Sequence, residues 1–548
     1  MIITYENTKC IIPDGSTVRE GFQALGLQTT SILAALRGGQ VLEMNEVIPG
    51  DGELLPLTLS HEEGRRIYER SLRFVMLLAA KHLMPGKRVR VEYSAAGGVL
   101  VRLPGENLTA EQVDTLEQEM RRIVEQNLPF EKEEWLVQDA MDYFAAEGQQ
   151  DKVALLKLRP FRHFKMYRCG DMWEYFYGAM APSTGSVKVF DLLPHDGGFV
   201  LQLPDKSAFG MPSIYHDYPK HLSVFAESAE WCRILGIENA SDLTSMMNRG
   251  DMRTFIRVNE ALQDKALADI ADEIDRRKKR VILLAGPSSS GKTTTAARLA
   301  IQLRVLGYHP MRLSLDDYYR NQKELPREAD GSVDLESIHT LDLPLIQQQI
   351  CSLLQGEATE IPIFNFKTHE REPHGVVQTL GQGEPIIIEG IHGLNPMLSQ
   401  GIPAKETYRI FVSALTCLNL DDHNRIRTTD ARLLRRIVRD HQFRNTSPSA
   451  TLNMWQSVRN GENRWIFPYQ ETADRMFNTT LHYELPFLKT EVYDLLEAIP
   501  PTEPCYLPAK RLLKVLHYIP FAPKEMFNEI PPISILREFI GNSTFDLG

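Results

Sequence analysis

Apolar and polar positions along this chain change their rhythm at four places. Short apolar runs at Met1 to Thr4 and Leu54 to Leu59 are separated by Pro13-Asp14-Gly15 and Pro49-Gly50-Asp51-Gly52. Runs of this length between turn residues predict a small strand-rich module over 1–60. A helical stretch over 62–82 stops at Pro85-Gly86, and Asn107-Leu-Thr-Ala-Glu opens another, with Val113, Leu116, Met120 and Ile123 at helical spacing. Strand-like runs return at 164–167 and 186–193, so 61–203 reads as α+β. Residues 204–280 are mostly polar and helical, ending in Arg276-Arg-Lys-Lys-Arg280. That basic run fits a solvated helix end whose cations suit the C-terminal dipole.

At Val281 the rhythm changes again. Continuous apolar runs at 281–285, 311–315, 385–388 and 408–412 alternate with helical segments. Parallel strands buried on both faces read this way. The segment 281–498 is therefore expected to be α/β with a mostly parallel sheet. A Pro-rich turn leads into a C-terminal extension, 499–548, with a docked helix over 509–519. A chain of 548 residues is too long for one core, and the predicted class is multidomain, α/β and α+β.

Composition narrows the classes. Sixty-one Lys and Arg against 72 Asp and Glu leave a net charge of −11, which speaks against chain-wide electrostatic binding of nucleic acid. The six cysteines are scattered with no CxxC pair, as reduced thiols would be, with neither a disulfide framework nor a zinc knuckle. No apolar run approaches the ~18 residues of a membrane span. The N-terminus has neither the basic start nor the apolar stretch of a signal peptide. The expectation is a cytoplasmic protein with no membrane partner; nothing in the sequence speaks to oligomeric state.

The strongest local signal follows the run at 281–285. Gly286-Pro287-Ser288-Ser289-Ser290-Gly291-Lys292-Thr293 has the GxxxxGK[ST] spacing, and the helix-compatible Thr294 and its successors follow. The glycines let the backbone curl so that N–H groups and a helix N-terminus face phosphates. Lys292 can reach the β- and γ-phosphates, and the Thr293 hydroxyl can ligate magnesium. After the second strand comes Asp316-Asp317, placed where a carboxylate can accept the proton of an attacking hydroxyl. Glu389 ends the strand at 385–388, where a magnesium-organising carboxylate is expected. Arg425, Arg427, Arg432, Arg435, Arg436, Arg439 and Arg444 crowd one stretch of an otherwise acidic chain. Beside a phosphate loop, such guanidinium groups can neutralise a transferring phosphoryl.

In order, Gly286 to Thr293, Leu313-Ser-Leu-Asp-Asp-Tyr-Tyr-Arg320, Val333-Asp-Leu-Glu336, Ile361-Pro-Ile-Phe-Asn-Phe-Lys-Thr-His369, Ile386-Ile-Ile-Glu-Gly-Ile391 and Arg435-Arg-Ile-Val-Arg-Asp440 resemble the uridine kinase and phosphoribulokinase group of P-loop kinases. The resemblance implies ATP (or GTP) as donor and Mg2+. It makes Asp316 the base for a nucleoside 5′-hydroxyl, with Tyr319 beside it, and Asp334 the ligand of the ribose hydroxyls. Phe364, Phe366 and His369 fall where uridine kinases line the base pocket. Thr293 and Glu389 fall on the magnesium positions, and Arg436, Arg439 and Arg444 on a lid over the phosphates. Phe364 stands where a tyrosine is common, and Thr446 where a further lid arginine is often found.

The first half carries a second resemblance. Residues 1–60 look like a TGS domain, a β-grasp module. Residues 61–203 look like the second additional domain of threonyl-tRNA synthetase, through His61-Glu-Glu-Gly64, Asn127-Leu-Pro-Phe130 and Pro182-Ser-Thr-Gly185. That editing domain uses an HxxxH and a CxxxH pair; the aligned positions here are Arg70, Phe74, Phe176 and Met180, none able to serve as its histidine or thiol. The fold is expected to survive without its chemistry, leaving a contact with RNA through the N-terminal half open.

The leading expectation is a small-molecule kinase with a nucleoside as acceptor. Phosphoribulokinase-like and pantothenate-kinase-like activities are alternatives within that class. The alternative from another class is an ATP-gated RNA-binding or translation-associated factor.

Overall fold

The computed structural model describes residues 1–95, 97–159, 161–327, 333–365, 368 and 370–546. Phe366 and His369, both expected in the base pocket, lie outside the described residues.

The 281–498 segment is built on a five-stranded parallel sheet ordered Met311–Ser314, Ile386–Glu389, Val281–Ala285, Thr407–Ser413, Arg475–Asn478. All five residues of the central strand are buried. Alternation sends Val281 and Leu283 into one core and Ile282 and Leu284 into the other, so the continuous apolar run at 281–285 covers two faces. Because the strands run parallel, their carboxyl ends share one edge, and Ala285, Ser314 and Glu389 come together there.

The preceding 25-residue helix, Met252–Arg276, packs along the Lys292–Val305 helix that follows the phosphate loop. Its Glu260 is buried. One Glu260 oxygen accepts from the Tyr483 and Ser534 hydroxyls, both at 2.6 Å, while the other faces Arg298 at 3.2 Å. Asp264, one turn on, takes the second Arg298 nitrogen at 2.8 Å. The basic run ends this helix as a paired, solvated terminus: Arg277 bonds Glu273 and Lys278 bonds Asp275.

At the N-terminus, Ile2–Tyr5 pairs antiparallel with Thr8–Ile11 and parallel with Gly52–Glu53, and a second small sheet joins Gln40–Glu43, Ala34–Arg37 and Leu55–Leu57. The helix Val18–Ala24, opened by a Thr17/Glu20 capping box, presses Val18 and Phe22 onto Ile3 and Leu54. Residues 61–203 wrap a three-stranded and a four-stranded sheet around the helices Glu62–Leu83 and Ala110–Gln126. The four synthetase-aligned positions do converge. Phe74 and Phe176 pack at 5.5 Å between ring centroids, Met180 is buried beside them, and the Arg70 guanidinium bonds Glu63 and the Ala179 carbonyl at 2.9 and 3.0 Å.

The two halves meet at a buried hairpin, Asn419–Asp421 with Asn424–Arg425, that leaves the kinase sheet and enters the N-terminal half. Asp421, Glu174 and Lys152 are fully buried there. Lys152 bonds Glu174 at 2.7 Å, His423 bonds the other Glu174 oxygen at 2.5 Å, and the Tyr175 hydroxyl donates to Asp421 at 2.8 Å. Arg88 and Arg90 grip Asp422, and Arg73 donates to the His423 carbonyl. Among the described residues, no helix is long and apolar enough to cross a membrane.

Removing one partner of a buried ion pair strands the other charge. Glu260→Ala is therefore expected to lower the stability of the full chain by about 3–5 kcal/mol, read as an earlier midpoint in urea denaturation. A midpoint unchanged from wild type would show that Asp264 alone satisfies Arg298.

Candidate active site

The central strand ends at Ala285 and turns through Gly286 to Gly291 into the helix Lys292–Val305. A Cβ on Gly286 would meet the Val412 carbonyl at 2.1 Å, so no other residue fits. Gly291, with φ +84°, takes the left-handed turn that starts the helix. The loop is braced from the helix Thr428–Phe443 and its neighbours. Arg432 and Glu462 clamp the Ser288 backbone at 3.0 and 3.1 Å, and Thr479 donates to the Ser290 carbonyl at 2.6 Å. The Ser289 and Ser290 hydroxyls are buried with no partner among the described residues. Together with the positive end of the Lys292–Val305 helix, this cradle fits a polyphosphate.

Lys292 folds across the loop to the Pro287 carbonyl at 3.3 Å, and the Thr293 hydroxyl donates to Glu389 at 3.1 Å. Ser314, at the end of the neighbouring strand, reaches the same Glu389 oxygen at 3.4 Å. Burial first, and the Asp316 carboxylate next, raise the Glu389 pKa to about 7. A hydroxyl beside a buried carboxylate at a strand end is a hard-oxygen donor set, which fits Mg2+.

These groups open onto a cavity of about 580 Å³. Lys292, Thr293, Asp316 and Glu389 form one end, and Tyr319 and Phe364, 5.6 Å apart, form an aromatic wall. The Asp316-Asp317 pair is split: Asp316 lines the cavity, while Asp317 points at the Phe364 backbone N–H. Asp334, expected on the ribose, does not line the cavity. Its carboxylate accepts from the Trp465 indole at 2.8 Å, with Arg464 at 3.7 Å. Glu336, two residues on, lines the wall instead, its pKa raised to about 7 by burial and by Glu462.

The arginine-rich stretch divides into three. Arg425 and Arg427 face away to the buried Glu69 of the N-terminal half. Arg432 and Arg435 are buried against Glu462 and Glu484, with Arg435 also donating to the Thr479 carbonyl at 2.8 Å. Arg436, Arg439 and Arg444 line the cavity; Arg436 donates to the Ser288 hydroxyl at 2.8 Å and shares Asp440 with Arg439.

The C-terminal extension completes the site, a contribution that no motif in its sequence announces. Arg537, Glu538, Asn542 and Phe545 lie on the cavity wall. One Glu538 oxygen accepts from both the backbone N–H and the hydroxyl of Thr294, at 3.2 and 2.8 Å. Nothing in Arg537-Glu-Phe-Ile, an ordinary amphipathic turn, signals this.

Residues 281–484 match the phosphoribulokinase / uridine kinase family. A uridine kinase from Ligilactobacillus salivarius is 31% identical over 203 residues, 36% of this chain and 85% of that protein. The chain belongs to the phosphoribulokinase and uridine kinase family. A uridine kinase from Lactobacillus johnsonii is 29% identical over 198 residues, covering 83% of that protein. The other half is similar to threonine–tRNA ligases. The one from Symbiobacterium thermophilum is 30% identical over 191 residues, 34% of this chain, and the chain spans only 29% of its length. Family membership accounts for the phosphate loop and the parallel sheet; the synthetase-like half is joined to them through the buried hairpin.

Two neighbouring arginines should separate stability from catalysis. Arg435→Ala leaves Glu484 buried and unpaired and is expected to cost about 3–5 kcal/mol of stability. Arg439→Ala should melt within about 1 kcal/mol of wild type while turnover falls about 10²-fold or more. Melting curves beside initial rates check both.

Proposed function

We propose that this chain is a cytoplasmic kinase that transfers the γ-phosphoryl of ATP to the 5′-hydroxyl of a nucleoside. One observation carries the reading. Asp316 stands in a single cavity between the phosphate end, Lys292 and Thr293, and the aromatic wall of Tyr319 and Phe364. A base between a donor site and a ring-stacking surface suits an acceptor with a hydroxyl at one end and an aromatic base at the other. Pantothenate and ribulose phosphate, the acceptors of the alternative readings, have no ring for that wall.

Asp316 orients the acceptor hydroxyl and takes its proton as the phosphoryl leaves. Lys292, Arg436 and Arg439 face the oxygens on which negative charge gathers. Thr293 and Glu389 would hold Mg2+, which neutralises the phosphate oxygens when bound. Glu336 supplies an acceptor for sugar hydroxyls on the wall where Asp334 had been expected. Arg444 and the C-terminal extension enclose part of the cavity, and a closed site keeps water from competing with the acceptor.

Asp316→Asn and Lys292→Ala are each expected to lower turnover about 10²- to 10⁴-fold with the melting temperature unchanged. A panel of nucleosides, ribulose 5-phosphate and pantothenate with ATP should give a phosphorylated nucleoside as the best product. Wild-type rates from Asp316→Asn would remove the assigned base, and phosphorylation of pantothenate alone would remove the nucleoside.

Glu538 places a negative charge on the Thr294 N–H, in the turn that a polyphosphate needs. Glu538→Gln should lower the KM for ATP about two- to fivefold, the 0.3–1 kcal/mol of a helix-terminus charge. A raised KM would make the carboxylate a donor-positioning group instead.

A further inference from the structure

A second cavity, also about 580 Å³ and sharing no lining residue with the first, lies where the β-grasp module, the synthetase-like domain and the C-terminal helix Tyr506–Leu516 meet. Seven lysine and arginine side chains line it against four glutamates, in a chain whose net charge is −11. Three of those glutamates are already engaged: Lys132 holds Glu43 and Glu46 at 2.8 and 2.6 Å, and Arg70 holds Glu63. The fourth, Glu134, sits opposite Lys165 across a strand pair without closing an ion pair.

Lys165, Lys510 and Lys514 thus face the cavity with no ion pair to a carboxylate among the described residues. Lys514 is exposed to the cavity, yet its pKa is lowered, by the atoms packed around it and then by Arg70, with Lys510 and Lys165 adding to the effect. Cations held together at one wall repel, and an anion between them relieves that repulsion. Aromatic side chains accompany them: Phe161, 53% exposed, and Tyr506 line the same space, with Arg159 5.9 Å from the Phe161 ring and Lys510 5.7 Å from the Tyr506 ring. Ring faces beside a cationic wall, in a volume within the usual ligand range, match a molecule with a planar base and a phosphate.

We infer that this cavity is a second binding site, for a mononucleotide-sized aromatic phosphate, with the phosphate on Lys165, Lys510 and Lys514 and the base against Phe161 and Tyr506. The Tyr506–Leu516 helix belongs to the C-terminal extension, so the site exists only because the two halves are joined in one chain. Arg511, on the same helix, borders the cavity and also bonds Asp430 in the first turn of the Thr428–Phe443 helix at 2.9 Å. The second site and the arginine helix of the active site therefore share a residue.

Calorimetric titration of the full chain tests the site without measuring turnover, so its outcome is separate from that of the kinase reading. AMP, UMP, adenosine, uridine and inorganic pyrophosphate are titrated into Lys292→Ala, whose phosphate loop is weakened, and into Lys292→Ala carrying Lys510→Glu and Lys514→Glu. The expected result is saturable binding of AMP or UMP to the first protein, weakened at least about tenfold in the second and by raised salt. The binding component lost in the second protein should be at least about tenfold tighter for the monophosphates than for the nucleosides, whose binding at the acceptor pocket is common to both proteins. Both lysines are exposed, so the fold is expected to hold; where melting shows otherwise, Lys165→Glu is the substitute. No saturable mononucleotide binding, or binding that the lysine variants leave unchanged, overturns the site. Pyrophosphate bound as tightly as AMP and UMP overturns the aromatic ligand class.

Discussion

The Glu260 carboxylate is cut off from water, and four parts of the chain are arranged around satisfying it. Tyr483 and Ser534 donate to one oxygen and Arg298 faces the other. These partners come from the phosphate-loop helix, the far side of the kinase sheet and the C-terminal extension. A buried charge without partners would cost several kcal/mol, so none of these segments can move away from the Met252–Arg276 helix independently. This is why a helix outside the family-matched segment and a tail beyond it both belong to the kinase body. It also explains how Glu538 comes to rest on Thr294, because Ser534, four residues earlier, is pinned by Glu260.

The same constraint joins the two halves. Asp421 is fully buried, and its partners Tyr175 and Lys152 both belong to the synthetase-like domain. The hairpin carrying Asp421 runs directly into the Thr428–Phe443 helix, and Arg425 and Arg427 on the way are held by Glu69. The helix that carries Arg436 and Arg439 to the cavity wall is therefore anchored in the N-terminal half at its start. A domain whose synthetase-aligned positions are an arginine, two phenylalanines and a methionine here serves as a foundation for that helix.

Much of the chemistry was legible in the sequence. The phosphate loop is a contiguous backbone device: Gly286, Gly291, Lys292 and Thr293 work through local dihedral freedom and the N–H groups of one helix turn, so spacing alone reveals it. The apolar runs announced a parallel sheet because strands covered on both faces need no polar alternation. Which arginines line the cavity was not legible from composition. Arg432, Arg435, Arg436 and Arg439 are near neighbours in sequence, yet Glu462 and Glu484 bury the first two and leave the others to the cavity. Asp334 and Glu336 differ in the same way, because the Trp465 indole takes the first and turns the second toward the cavity.

The sequence by itself thus determined the reaction class, through motifs whose chemistry is completed within a few residues. Tertiary structure alone decided which charges are available to a substrate and which are spent on the fold. It also decided that the C-terminal extension builds one wall of the active site and one wall of the second cavity. The reason is physical: a charged side chain is free or committed according to the carboxylates and carbonyls that packing brings to it, and here those come from segments tens to hundreds of residues away.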